Sequence, residues 1–196
     1  MHVSSYEHMR DLISRHLDRD QPLTVVDIGS YDVNGSYRAL FDAQAWSYRG
    51  VDLEAGPGVD VVLDSPYRLP FASGSIDLVI SGQAFEHVEY FWIMWMEMLR
   101  LLKPGGRVFL IAPSRGPEHR YPQDCWRFYP DGYRALAKIG GCELIEVSTD
   151  WEPHPDPGSR DWGDTVGVFQ ARRQGISKRI LRALATRAMQ WQAQAT

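Results

Sequence analysis

The chain has 196 residues, 44% hydrophobic, 23% charged and 12% aromatic, which points to one compact domain rather than a two-domain enzyme. Twenty-five acidic against 21 basic residues give a net charge of −4, which argues against a protein that coats nucleic acid through a Lys/Arg excess, and no nucleic-acid partner is expected. Cys125 and Cys142 are too few for a disulfide framework, residues 1–22 lack a signal-peptide core, and the most apolar run, Phe91 to Met96, falls far short of the ~20 residues of a spanning helix; a soluble, cytoplasmic chain is expected.

Tyr6, Met9, Leu12, Ile13, His16 and Leu17 recur at helical spacing behind a Ser4/Glu7 capping box, which predicts a helix over 5–18, closed by Pro22. Leu23 to Ile28 is a β-branched strand stopped by Gly29, and Asn34 is placed to cap a helix running to about Phe41. Further strands follow at Trp46 to Leu53, Val59 to Asp64 and Ile76 to Ser81. Residues 84–102 read as a long helix, apolar nearly all round, ending at the Pro/Gly stop Lys103 to Gly106. Arg107 to Ala112 is a fifth strand, Tyr133 to Ile139 a helix, and Glu143 to Ser148 and Thr165 to Ala171 two last strands. The Pro/Gly-rich stretch from Trp151 to Asp164 is a poor crossover helix, so these two form an antiparallel hairpin. The fold class is α/β: a Rossmann-like, doubly wound, seven-stranded sheet, mostly parallel with an antiparallel edge hairpin. Residues 1–22 form an N-terminal helix, 23–171 the main domain and 172–196 a basic amphipathic C-terminal helix.

The net charge hides an asymmetry, because the stretch after Asp164 carries six basic and no acidic residues, so a −10 body is joined to a +6 tail. Ile176, Ile180, Leu184 and Ala188 fall four apart on that tail, which suits either contact with an anionic membrane or a solvated basic face on a packed helix. The apolar girdle Phe91, Trp92, Trp95 and Met96 either docks a second subunit, giving a homodimer, or is covered by a terminal helix.

In a doubly wound sheet, ligands bind at the carboxyl ends of the strands. Gly29 lets the backbone turn sharply there, Asp52 ends the second strand 23 residues later, where it can accept both hydroxyls of a ribose, and Asp64 ends the third. Tyr31 stands where the dinucleotide fingerprint has its second glycine, which disfavours a nicotinamide dinucleotide. The pattern describes a nucleoside pocket without a pyrophosphate cradle.

The blocks Val26-Asp-Ile-Gly29, Gly50-Val-Asp52, Asp64 with Leu69-Pro-Phe71, Ser75-Ile-Asp-Leu-Val79, Phe85-Glu-His-Val88 and Leu101-Leu-Lys-Pro-Gly-Gly106 resemble the class I S-adenosylmethionine-dependent methyltransferases, in particular the type 11 methyltransferase domains, over about Leu23 to Ala171. The resemblance implies S-adenosylmethionine as cofactor, with Asp27 and Gly29 beside its methionine part, Asp52 on the ribose, Asp64 facing the adenine, and Ser81 and Gln83 on the methyl-donor side; Ser30 and Leu53 complete the cofactor set. The stretch His119-Arg-Tyr-Pro-Gln-Asp124-Cys-Trp-Arg-Phe-Tyr-Pro130, with Asp32-Val-Asn-Gly-Ser36, looks like a subgroup of bacterial polysaccharide and glycolipid enzymes, which implies a saccharide acceptor.

A hydroxyl acceptor loses its proton during methyl transfer, which calls for a base near neutral pKa. His119 is the first candidate, with Asp124 to orient it and His154 as the second. Tyr121, Trp126, Arg127 and His87 are candidate acceptor contacts, although Trp126, Phe128 and Tyr129 could equally anchor a long loop. Glu118, Asp124 and Asp156 are candidate Mg2+ ligands. A non-catalytic relative that keeps the crevice as a binding or scaffold module is the alternative to an enzyme.

Overall fold

The computed structural model describes residues 2–173 and 175–194. Seven strands form one sheet: β1 (Leu23–Ile28), β2 (Trp46–Asp52), β3 (Val61–Val62), β4 (Ile76–Gly82), β5 (Leu102–Arg115), β6 (Glu143–Thr149) and β7 (Gly163–Gln170). Their order is β3-β2-β1-β4-β5-β7-β6. The first five are parallel, and β7 runs antiparallel to both β5 and β6. Strand order reverses between β1 and β4, so the carboxyl ends of these two strands open the crevice where such folds bind ligands.

The central strands are apolar without alternation because each buries both faces. On one face Val26, Val79, Val108, Leu110 and Phe169 pack under α2 (Phe91–Leu101) and α3 (Pro130–Gly140). On the other, Val25, Leu78, Ile80, Phe109 and Val168 pack under α1 (Val3–His16) and the 37–46 segment. Trp95, fully buried, spends its indole N–H on the carbonyl of Leu136 at 2.9 Å and so ties α2 to α3.

Three expected elements differ, each because a tertiary contact takes the groups the helix needs. The Ser4/Glu7 box does not form: α1 starts after His2, with Ser5 bonded to the Tyr37 hydroxyl at 2.5 Å and Glu7 facing His154. No α-helix follows Gly29, only a 3-10 turn at Arg38–Leu40, because Asp32 donates its N–H to Pro57 and accepts that of Gly35, and Tyr37 is buried beneath Gly82. The long helix over 84–102 is a 3-10 turn at Phe85–His87 followed by α2. The carbonyl of Glu86 accepts the N–H groups of Cys125 and Trp126, that of His87 accepts the Gln123 side-chain amide, and those of Val88 and Glu89 accept the Trp126 indole N–H. Carbonyls engaged by another loop cannot close a helical turn.

The tail helix α4 (Ile176–Gln194) packs against α2, as the terminal-helix alternative for its apolar girdle expects. Its inward face is polar: Arg182 donates to the Gly140 carbonyl at 2.6 Å, Gln190 to that of Tyr67 at 2.5 Å, and Thr186 is buried. Ile180, Leu181, Leu184 and Trp191 point outward at 55–75% exposure. The side chains of Ile176, Lys178 and Arg179 lie outside the described residues. No helix among the described residues is long and apolar enough to cross a membrane.

Candidate active site

β1 ends at Gly29, whose φ is +81°. A Cβ there would lie 2.4 Å from that of Ala84, so the turns after β1 and β4 touch, and only glycine permits both the angle and the approach. Asp52 closes β2 with its carboxylate held on both sides: Oδ2 accepts the Tyr31 N–H at 3.0 Å and Oδ1 the Leu53 N–H at 2.7 Å. Each oxygen keeps a lone pair for a ligand hydroxyl. Tyr31 lays its ring over Gly56, where a Cβ would come within 2.1 Å of it, so the large residue in the second-glycine position closes the β2–β3 loop over the turn.

Ser30 Oγ is buried without a hydrogen-bond partner beside this turn, while Ser81 Oγ bonds to the Ile28 carbonyl at 3.1 Å and ties β4 to β1. Gln83 is the one non-glycine among the described residues with positive φ, at +60°. Its side-chain amide donates to Asp164 Oδ1 at 2.9 Å and to Ser5 Oγ at 3.2 Å, which holds a strained turn at the mouth of the crevice. The orphaned hydroxyl, the glycine turn and the oriented Asp52 carboxylate fit a nucleoside-bearing cofactor. Asp27 faces elsewhere: it is 3% exposed, accepts the Tyr48 hydroxyl, and is pushed up to about 7 by burial, against the pull of that hydrogen bond and of Arg38. Leu53 and Asp64 lie exposed at the rim.

At the same sheet edge, the 113–130 loop docks on the turn after β4 and brings His119 to Glu86 and His87. Glu86 is fully buried, and neither carboxyl oxygen has a hydrogen-bond partner. Both imidazole Nε2 atoms lie 3.7 Å from Glu86 Oε1. His87 Nδ1 meets the Gln123 carbonyl at 2.6 Å, and His119 Nδ1 faces Asp124 Oδ2 at 3.4 Å. The Glu86 carboxylate and then Asp124 raise the His119 pKa, against burial. The imidazole of His119 also sits edge-on to Trp162, which in turn stacks on His2.

Asp124 does stand behind His119, accepting its backbone N–H at 2.9 Å, but its main partner is Arg127, at 2.5 and 2.8 Å. That guanidinium holds the Asp124 carboxyl well below the usual carboxylate range. Trp126 is a loop anchor, its N–H on the Val88 and Glu89 carbonyls and its ring edge-on to Phe91 and Trp92. Tyr121 is exposed above His87. His154 belongs to the α1 flank: one ring nitrogen meets Glu7 at 3.2 Å and the other the Asp156 N–H at 3.1 Å, which leaves neither free as a base. The expected Mg2+ carboxylates are not gathered, since Glu118 pairs with Arg120 and Asp124 with Arg127. Among the described residues the groups with metal-ligand geometry are Glu86, His87 and His119, and His8, Asp150 and Asp164. Sequence reasoning assigned no role to Glu86, Trp162 or Asp164. Glu86 was visible only as a charge inside the apolar block Phe85 to Val88.

This architecture is the Rossmann-like fold of the class I methyltransferases, and residues 26–110 match the methyltransferase domain family. The chain is similar to an uncharacterised methyltransferase of a Mycobacterium species, 38% identical over 96 residues (44% of this chain, 37% of that protein), and to another of Mycobacterium marinum, 33% identical over 165 residues (76% and 57%). It thus spans about 37–57% of the length of these curated relatives. Among solved structures it resembles the Burkholderia thailandensis 1,6-didemethyltoxoflavin-N1-methyltransferase, seen with S-adenosylhomocysteine, at a TM-score of 0.62 and 18% identity over 87% of this chain and 85% of that one. The [4+2]-cyclase SpnF superposes as well, with a TM-score of 0.64 and 14% identity over 86% and 81%. Together the family match and the relatives mark residues 26–110 as a methyltransferase domain, on the class I fold.

Proposed function

We propose that this chain methylates a hydroxyl group, of a saccharide or glycolipid precursor, with S-adenosylmethionine as donor. The observation that carries the reading is the meeting, at one sheet edge, of the Gly29/Asp52 crevice and the Glu86–His87–His119 cluster. The cofactor supplies a methyl group on a sulfonium, already bonded to a good leaving group, so the chain has mainly to align, exclude water and manage one proton. Asp52 takes the ribose hydroxyls, and Gly29 and Ser30 offer backbone and hydroxyl to the methionine end. His119 is the candidate histidine for the acceptor side; both its nitrogens face carboxylates, so the proton is handled by the cluster rather than by a lone imidazole. Arg127 and Asp124 brace the loop, and exposed Tyr121 offers a ring for a sugar face.

Calorimetry with S-adenosylmethionine, S-adenosylhomocysteine and NAD tests the cofactor, with binding of the first two and not the third expected. Release of S-adenosylhomocysteine over a panel of free and lipid-linked sugars tests the acceptor, and His119→Ala is expected to lower turnover ~10²–10⁴-fold with cofactor affinity retained. Cofactor binding without transfer to any acceptor would favour a binding module, an outcome that a fold shared with a cyclase keeps open. The tail helix adds a membrane contact suited to a lipid-linked acceptor: its exposed Ile180, Leu181, Leu184 and Trp191 share the helix with four basic residues and no acidic one. Co-sedimentation with anionic but not neutral vesicles is expected, and Leu184→Glu should weaken it; absence of binding to either rejects the contact.

A further inference from the structure

The buried carboxylate of Glu86 is the group the crevice reading leaves unexplained. Carboxyl groups removed from water are paired, protonated or bound to a cation, because an isolated buried charge is too costly to keep. Here both oxygens lack a hydrogen-bond partner, and the two imidazole Nε2 atoms stand 3.7 Å from Oε1, beyond hydrogen-bond length. The three ligand atoms lie within 4.8 Å of one another.

The outer side of each ring is as informative as the inner. His87 Nδ1 can meet a carbonyl oxygen at 2.6 Å only as a donor, so in the neutral ring its Nε2 presents a lone pair toward Glu86. His119 Nδ1 faces Asp124, itself fixed by Arg127. The His87 ring is held as metal-ligating imidazoles are, with the outer N–H on a carbonyl and the inner nitrogen toward the ion, while His119 Nδ1 is buried without a hydrogen bond, 3.4 Å from the Asp124 carboxylate.

We propose that Glu86, His87 and His119 bind a divalent transition ion of the zinc class. Two imidazoles and one carboxylate suit Zn2+ or Fe2+ and not Mg2+, which prefers oxygen throughout. Ligands about 2.0–2.1 Å from a tetrahedral ion stand roughly 3.3 Å apart, so each Glu86–His gap closes by a few tenths of an ångström. A tetrahedral ion held by three protein ligands would keep a fourth position for water or an acceptor oxygen. The ion's effect on chemistry, unlike its binding, rests on the proposed methyl transfer: a hydroxyl brought against it would pass its proton more readily to the Glu86 oxygen left off the ion, the new O–C bond forming as the S–C bond breaks and the electron pair staying on sulfur. The second group, His8, Asp150 and Asp164, serves as a control because its members already have partners, His8 on Asp150 at 2.8 Å and Asp164 on Gln83 at 2.9 Å.

The test loads the full chain with Zn2+, desalts it and measures bound metal by mass spectrometry, with Co2+ absorption as a second reading of the ligand set. One ion per chain is expected, with a zinc-dependent rise in melting temperature. Glu86→Gln, His87→Ala and His119→Ala should each weaken binding by more than about 100-fold, beyond the loss of an outer partner, while His8→Ala keeps the ion. Melting without metal reports whether each variant folds, and the wild-type zinc shift stands even if one does not. Folded wild type that retains no zinc, or equal retention in the two histidine variants, overturns the site. Calorimetry with S-adenosylmethionine run in parallel separates the failures. Cofactor binding without zinc leaves the methyltransferase reading intact and removes the metal, and zinc without cofactor binding does the reverse.

Discussion

Replacing Asp27 by Asn removes a titration while keeping the shape of the side chain and an oxygen to accept the Tyr48 hydroxyl. Burial sets the folded-state pKa at about 7 against an ordinary 3.8, even though the Tyr48 hydrogen bond and Arg38 favour the charged form. The folded-state value lies above the unfolded one, so the folded protein holds this proton more tightly. The contribution is intact below 3.8 and is lost as pH rises through about 7. Linkage puts the loss near ~4 kcal/mol by neutral pH and well under ~1 kcal/mol at pH ~4. In a domain of this size that is about 10 °C of melting temperature. Urea or thermal melts of wild type and Asp27→Asn, without cofactor and at matched ionic strength, should show the variant gaining about 3–4 kcal/mol relative to wild type between pH ~4 and ~7.5. Any fixed cost of the new amide cancels in that slope. A difference that does not change with pH would refute the burial argument for Asp27.

Asp52→Ala should weaken S-adenosylmethionine binding by about 1.5–3 kcal/mol, the range of a lost charged hydrogen bond, and unchanged affinity by calorimetry would remove Asp52 from the site. Gly29→Ala forces φ +81° on an alanine whose Cβ meets that of Ala84 at 2.4 Å, so a loss of at least about 1–3 kcal/mol of stability with loss of cofactor binding is expected, and a wild-type melt would contradict the close approach. The His8–Asp150 pair docks α1. Burial opposes the charge of His8, but Asp150 raises its pKa overall, and burial likewise opposes that of Asp150, but His8 lowers its pKa overall. The contribution of His8 is full below its ordinary 6.5 and lost as pH rises through its folded-state value, while that of Asp150 is full above 3.8 and lost as pH falls through its own. His8→Asn should therefore destabilise more near pH ~5.5 than near pH ~8.5 in denaturant melts, and equal costs would count against an ion pair.

The strands were legible because their signal is local and repeated. Val25-Val26 and Leu78-Val79-Ile80 each need both faces buried, and that need is written in consecutive apolar residues. The edge hairpin was legible from what is missing, a helix-forming stretch between Trp151 and Asp164. The helix starts were not, because Glu86, His87 and Val88 carry reasonable helical sequence and lose their helix only when residues 123–126, nearly forty positions on, take their carbonyls. For the same reason the sequence left Trp126 as either an acceptor contact or a loop anchor, and only the fold shows its indole N–H bracing the loop on the Val88 and Glu89 carbonyls. The tail's apolar stripe suited either a membrane or a packed helix with a solvated basic face, and its direction was not legible: the carbonyls of Gly140 and Tyr67 draw Arg182 and Gln190 inward and turn Ile180 and Leu184 out.

Taken alone, the sequence determined the doubly wound α/β class, the glycine turn, the carboxylate at the end of β2 and the unequal distribution of charge, since each depends on residue type and short-range order. Tertiary structure decided which polar groups share a space. Glu86 and His119 are separated by more than thirty residues, and only the docking of the 113–130 loop on the turn after β4 sets a buried carboxylate between two imidazoles, because proximity across a sheet edge depends on how loops satisfy each other's backbone groups and leaves no periodic trace in the chain.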